Sequence, residues 1–378
     1  MKTREINLRD LDALRGMAAV YVLLGHGRWL LWAGHATWLS QPHAPWESLL
    51  AYGSASLRFG REAVMVFFVL SGFFIHLRSA AELRHGTSVH FSASAFYRRR
   101  THRLLAPYAF ALGATVVCDL IGRTFFPVLY GGATGDSLLD MNFARMEYSW
   151  SSVAPALVLL PSSLGRDFGS NGPLWSLAYE TLYYAIYPAW LMLRRRQPGL
   201  AFVAVPALCL ALTLVPRTTF VSDVLMRYPI WLAGAALAEG VESLRQSRRV
   251  VLAAAAVFAV GMLLQVLSDS ALTQTVAAIL FGSAAVVGMA ALPAGWRPAK
   301  LLTVWEYLGV RSYSIYIVHF PFLALLSAWV VQWHGERPLH GWFALAGAAL
   351  AIGFGCVCFE ICERHFLHPR LRIVPAGA

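Results

Sequence analysis

Lysine is almost missing from this chain: Lys2 and Lys300 are the only two among 31 basic residues. Charge of either sign is scarce, at 13% of 378 residues, where soluble domains carry roughly 25%. A soluble fold this poor in charge would not cover its own surface. Disordered and coiled-coil chains are excluded on the same ground. Cysteine is scarce too. Cys118, Cys209, Cys356, Cys358 and Cys362 lie in or near apolar runs, with no disulfide pattern and no paired zinc spacing. Of the last three, only Cys358 and Cys362 share a helix face, which argues against a metal site. Repeats, low-complexity tracts and a soluble domain are absent as well.

What is present is apolar. Hydrophobic residues make up 58% of the chain, and the mean hydropathy is +0.56. The net charge of +11 would suit nucleic acid. The positive residues, however, sit in short clusters between apolar runs, so the lipid bilayer and not nucleic acid is the expected partner. The sequence predicts an all-α polytopic membrane protein, a single membrane-embedded domain over residues 1–378.

A membrane helix needs about 20 mostly apolar residues. Ten segments qualify: 8–33, 61–79, 104–129, 172–193, 199–216, 226–243, 250–267, 273–292, 307–333 and 340–363. Segment 151–164 is apolar but short, and reads as interfacial or re-entrant. The first segment reads as a retained span and not a signal peptide, because Asp10, Asp12, Arg15 and His26 interrupt it. With both termini cytoplasmic, the inner connections hold 19 Lys and Arg and the outer ones hold 5 (Arg58, Arg145, Arg166, Arg217 and Arg337). That bias fits the positive-inside rule. The long outer connections, roughly 34–60 and 130–171, are expected to shape a mouth on the outer side.

Ionisable groups inside a membrane are costly and mark functional candidates. Arg15 and His26 lie eleven residues apart. That is about three helical turns plus ~20°, so both point the same way, ~16 Å apart along the axis. One helix face thus offers a phosphate-competent cation near the inner surface and a general base deeper in. Asp12 sits one turn before Arg15, placed to orient it. Against this stand a snorkelling anchor for Arg15 and a packing histidine for His26. Glu180 lies among Trp175, Tyr179, Tyr183 and Tyr184, where a lone carboxylate needs a partner: a catalytic imidazole, or simply the tyrosines. His319 precedes Pro321, which is expected to break its helix locally and free carbonyls for a cavity wall. Ser71 and Gly72 form a small-residue patch, read as a close helix contact and not as a nucleophile. The inner loop with Arg98, Arg99, Arg100, His102 and Arg103 is either a membrane anchor or a grip for phosphates.

These segments, in this order, resemble the acyltransferase 3 family of bacterial integral membrane acyltransferases. LRDLDALRGMAAVYVLLGHG is similar to its first helix, with the R-x10-H pair at Arg15 and His26. GREAVMVFFVLSGFFI, ending in Ser71–Gly72, resembles its second-helix motif. RRRTHRLLAPY resembles its R-x-x-R-and-proline loop, here Arg100, Arg103 and Pro107. GPLWSLAYETLYYAIYP is similar to its W-S-L-x-x-E segment, here Trp175, Ser176, Leu177 and Glu180. GVRSYSIYIVHFPF resembles its late motif, here Ser312, Tyr313, Tyr316, His319 and Pro321. Glu363 near the end departs from the family pattern at Arg364 and His365, and receives no role.

The resemblance runs over about residues 8–365, in the stand-alone form without a periplasmic hydrolase-like domain. It implies O-acyl transfer in the inner membrane. Acetyl (or another acyl) would pass from cytoplasmic acyl-CoA to a sugar hydroxyl of an exopolysaccharide, a lipopolysaccharide O-antigen or a related glycan, alongside a polysaccharide synthesis or export complex. His26 would be the general base, held by Glu180. Arg15, Arg100 and Arg103 would bind the donor, with Asp12, Ser71, Trp175, Tyr313 and His319 in support. No metal is required, because a thioester is already activated. Three other classes compete: a transporter of lipid-linked sugars or small anions, a bis-histidine haem protein using His26 and His319, and a non-catalytic scaffold.

Overall fold

The computed structural model describes residues 8–41, 44–86, 91–143, 146–214, 219–244 and 246–367. The described residues form helices and connections with no extended strand. Apolar side chains recurring along long runs leave the helix as the way to satisfy every backbone group. The principal helices are α1 (Leu8–Leu31), α2 (Gly60–Arg84), α3 (Ala93–Phe125), α4 (Trp150–Leu157), α5 (Trp175–Arg196), α6 (Val205–Ala211), α7 (Phe220–Gly240), α8 (Arg248–Leu267), α9 (Ala271–Ala290), α10 (Ala299–Val310), α11 (Ser312–His334) and α12 (Trp342–Ile361).

Six of these, α2, α3, α8, α9, α11 and α12, are long and apolar enough to cross a membrane. Among the described residues the protein is therefore all-helical with six apolar candidate spans. Helices α1, α5 and α7 have 24, 22 and 21 residues but fall short in apolarity. They are the helices that carry Arg15, Glu180 and Asp223.

Four expectations need correction. The Arg98–Arg103 cluster is not in a loop. It belongs to α3, which starts at Ala93 with the Ser92 hydroxyl accepting from the Ala95 N–H. Segment 199–216 is not one membrane-length helix; its apolar helical part is Leu200–Leu214 and opens with a π-helical turn. The expected span 307–333 is divided at Arg311 into α10 and α11. Pro321 does not break α11, which continues to His334. Segment 151–164 holds only the short α4, followed by turns with left-handed Leu159 and Ser162. Of the arginines and lysines counted for orientation, Lys2, Arg4, Arg145, Arg217, Arg245, Arg370 and Arg372 lie outside the described residues.

The core is aromatic. Trp231, Tyr183, Tyr187 and Tyr228 are fully buried between α5 and α7, with Tyr183 and Trp231 ring centroids 6.2 Å apart. Helices α2 and α7 approach until backbones touch. A side chain at Gly234 would meet the Val69 carbonyl and the Phe73 N–H, and one at Gly72 would meet the Trp231 carbonyl. This is the close contact expected of the Ser71–Gly72 patch. At one end of the bundle the long connections are stitched together: Trp32 Nε1 donates to the Leu339 carbonyl at 2.9 Å, and Arg337 donates to the Trp29 carbonyl at 2.8 Å.

The α2–α7 contact yields a test. Gly234→Val forces carbon into backbone, and overpacking of this kind costs about 1–3 kcal/mol or more. It should lower the melting temperature in detergent and broaden the size-exclusion peak. Gly113→Val, where an added carbon meets nothing, should leave both unchanged. Equal melting of the two variants would refute the close contact.

Candidate active site

Five helices converge on an open cavity of about 130 Å³. Arg15 enters from α1, Ser71 from α2, Arg100 and Arg103 from α3, Glu180 and Tyr184 from α5, and Tyr313 and Tyr316 from α11. Glu363, just past α12, completes the wall. The three-residue spacing of Arg100 and Arg103 puts both on one face of α3, which is why the helical correction above matters.

Of the three arginines, Arg15 has a carboxylate beside it. Arg15 donates a long bond of 3.5 Å to Asp12 and lies 4.8 Å over the Phe74 ring. Arg100 lies 5.7 Å over Phe96 and 5.9 Å over Tyr184, and its Nε has no partner. Among the described residues no carboxylate comes within 4.0 Å of Arg100 or Arg103. The carboxylates are occupied elsewhere. Glu180 accepts from the Ser71 hydroxyl at 2.8 Å and from the Tyr184 hydroxyl. Ser71 in turn accepts from Trp231 Nε1 at 3.2 Å, and its one hydrogen is spent on Glu180. Three guanidinium groups with unused donors make this a place for phosphate or carboxylate oxygens.

Glu363, given no role from the sequence, caps a helix. Its carboxylate accepts from the Ser314 N–H at 3.0 Å and the Ser314 hydroxyl at 2.5 Å. That N–H is one of the donors left over in the first turn of α11, and a negative charge there suits the helix dipole. Burial pushes the Glu363 carboxyl above the usual carboxylate range, against the pull of Ser314 and Arg103.

His26 and His319 meet one layer beyond this cavity. Tyr316 lines the cavity and sits 5.7 Å from the His319 ring. The distance from His26 Nδ1 to His319 Nε2 is 2.8 Å, and from His319 Nδ1 to the Tyr316 carbonyl 2.6 Å. The carbonyl can only accept, so His319 Nδ1 carries a hydrogen. In a neutral ring Nε2 then bears the lone pair, and His26 Nδ1 donates to it. The relay leaves His26 Nε2 as the bare, basic nitrogen. Phe320 closes the edge of the His26 ring at 5.1 Å.

The structure thus gathers Asp12, Arg15, Ser71, Arg100, Arg103, Glu180 and Tyr313 around the cavity, with His26 and His319 next to it. Two expected relations are absent. Glu180 bonds Ser71 and Tyr184, and the partner of His26 is His319. Trp175 packs on Phe68 and Tyr179, with centroids 6.4 and 5.1 Å away, outside the cavity wall.

The described helices thus bring a histidine pair beside a cavity lined by three arginines, in a bundle with membrane-length helices. Comparison with known proteins gives the family. The model of the acyltransferase 3 family, described as an acyltransferase domain, matches residues 8–359. The chain belongs to that family, and its apolar helices make it a multi-pass membrane member. It is 31% identical to "Acyltransferase MdmB" of Streptomyces mycarofaciens over 144 residues, 37% of this chain and 30% of that relative. The match thus spans less than a third of the relative's length. No solved structure matches the chain.

Removing the Glu363 cap tests the site's framework. Glu363→Ala strands two buried donors, at about 1–3 kcal/mol, and should lower the melting temperature in detergent. Glu363→Gln keeps an acceptor and should lose much less. Identical melting of both variants and the wild type would exclude the cap.

Proposed function

We propose that the protein is a membrane O-acyltransferase that moves acetyl, or another acyl group, from cytoplasmic acyl-CoA to a sugar hydroxyl of a cell-envelope glycan. Family membership supports acyl transfer. The donor, the acceptor and the base are inferred from chemistry. The observation that carries the reading is the one-way relay from His26 through His319 to the Tyr316 carbonyl, beside a cavity lined by three arginines. A cytoplasmic orientation of that arginine-rich end follows the positive-inside bias of the sequence, and would put the protein in the inner membrane.

Arg15, Arg100 and Arg103 would hold the phosphates of the donor. His26 Nε2 takes the proton from the acceptor hydroxyl, the oxygen forms its bond to the thioester carbonyl carbon, and the carbon–sulfur bond breaks. The departing thiolate collects the proton from His26. In the protonated state His26 still donates from Nδ1 to His319, so the relay needs no rearrangement. Glu180 keeps Ser71 and Tyr184 in place along the cavity and takes no proton in this scheme.

The test uses membranes containing the wild type, His26→Ala or Arg100→Ala, fed labelled acetyl-CoA, with base-labile label followed into polysaccharide and lipid fractions. General-base help is worth about 10²–10⁴ in rate, so His26→Ala should lose nearly all transfer at equal expression. Arg100→Ala should chiefly raise the KM for the donor. Full activity in His26→Ala would remove the base assignment. Absence of thioester turnover in well-expressed wild type would favour transport of a lipid-linked sugar or small anion instead.

A further inference from the structure

We infer that Asn171 is a positioning residue for the His26–His319 pair, acting through the one carbonyl that Pro321 leaves without a helical donor. The inference rests on the acyl-transfer reading above. In a regular helix the Ile317 carbonyl would accept from the N–H of residue 321, four positions on. Proline has no N–H, yet α11 runs on unbroken through it. The replacement donor comes from outside the helix: Asn171 Nδ2 donates to the Ile317 carbonyl at 2.9 Å.

The orientation of the amide is fixed by its neighbours. Its second Nδ2 bond, at 3.0 Å, goes to Thr115 Oγ1. Thr115 spends its own hydrogen on the Ala111 carbonyl at 2.7 Å, so its oxygen accepts here. Both contacts therefore demand the amide nitrogen. Asn171 is fully buried, and its Oδ1 has no partner. The two amide N–H groups are the whole of its side-chain bonding.

Those bonds are anchored on both sides. The Ser170 N–H donates to Asp119 of α3 at 2.9 Å. The Tyr316 hydroxyl donates to the Pro173 carbonyl at 3.0 Å. Residues 170–173 thus clasp α3 to the turn of α11 holding Tyr316 and Ile317. The Tyr316 carbonyl is where the histidine relay ends, and His319 lies two residues beyond Ile317. Without the Asn171 donor, a buried carbonyl is orphaned inside that turn, and the helix must shift to satisfy it. The His26–His319 bond shifts with it.

The experiment separates the hydrogen from the volume of the side chain. Asn171→Asp keeps the shape and loses the donor. Asn171→Ala combined with Pro321→Ala loses the shape and regains a donor, because residue 321 recovers its backbone N–H. Acyl transfer is measured at equal monodisperse protein with donor concentration varied. Misplacing a reacting group by about 1 Å can cost ~10² in rate. Asn171→Asp and Asn171→Ala should therefore lower kcat by about 10- to 100-fold, with KM for the donor little changed. The double variant should recover most of that loss.

If Asn171 matters only as packing, Asn171→Asp will be active and the double variant will not recover, and the inference falls. It falls equally if Asn171→Ala is fully active while His26→Ala is dead, which leaves the acyl-transfer reading standing. Wild type without His26-dependent transfer removes that reading instead. Should the alanine variant not fold, the same comparison is read from Asn171→Asp with and without Pro321→Ala.

Discussion

A polar group inside an apolar bundle must find its partner within the bundle, and this constraint shapes the whole molecule. It decides which nitrogen of His26 is bare, because the His319 ring is committed by its bond to the Tyr316 carbonyl. It decides that Glu180 sits against two hydroxyls. It explains why His76, completely buried, bonds Tyr187 on one side at 3.1 Å and Glu239 on the other at 3.0 Å, with Arg194 gripping the same carboxylate. The arginine trio at the cavity also leaves donors unused, as do a few other buried groups, among them Arg195 and the Tyr228 hydroxyl. What sets the trio apart is that its three guanidinium groups line one cavity.

The two halves of the site rest on different supports. The arginine half is built from one helix face each of α1 and α3, backed by aromatic rings. The histidine half rests on the Tyr316 carbonyl; the next carbonyl, of Ile317, loses its helical donor to the proline four residues later and accepts from Asn171 instead. Tyr316 belongs to both: its hydroxyl is tied to Pro173 and Ser176, its ring stands beside His319, and its carbonyl closes the relay. A donor thioester reaching past the arginines would meet Tyr316 before the histidines.

Much of this was legible in the sequence, for identifiable reasons. Arg15 and His26 share a helix face by spacing alone, and long apolar runs marked most of the helices. The arginine cluster was misread as a loop because hydrophobicity finds the membrane part of a helix and not its end; α3 simply continues outward. The pairing of His26 with His319 joins residues 293 positions apart, and the Glu363 cap joins residues 49 apart. Neither leaves a local signal. Asn171 sits in a connection without periodicity, where no rule of spacing applies. Its signal was indirect: a proline inside a helix poses the question of what satisfies the fourth carbonyl back.

The helices that fall short in apolarity, α1, α5 and α7, bear on how the protein is made. Polar groups on them reach other elements for bonds, as when Tyr179 of α5 bonds Asp223 of α7, Tyr187 of α5 bonds Ser79 of α2, and Asp10 of α1 pairs with Arg297. Such a helix has no stable resting place alone in lipid. Its entry into the bilayer is a property of the assembling bundle and not of its own sequence, so biogenesis must hold early segments together until later ones arrive.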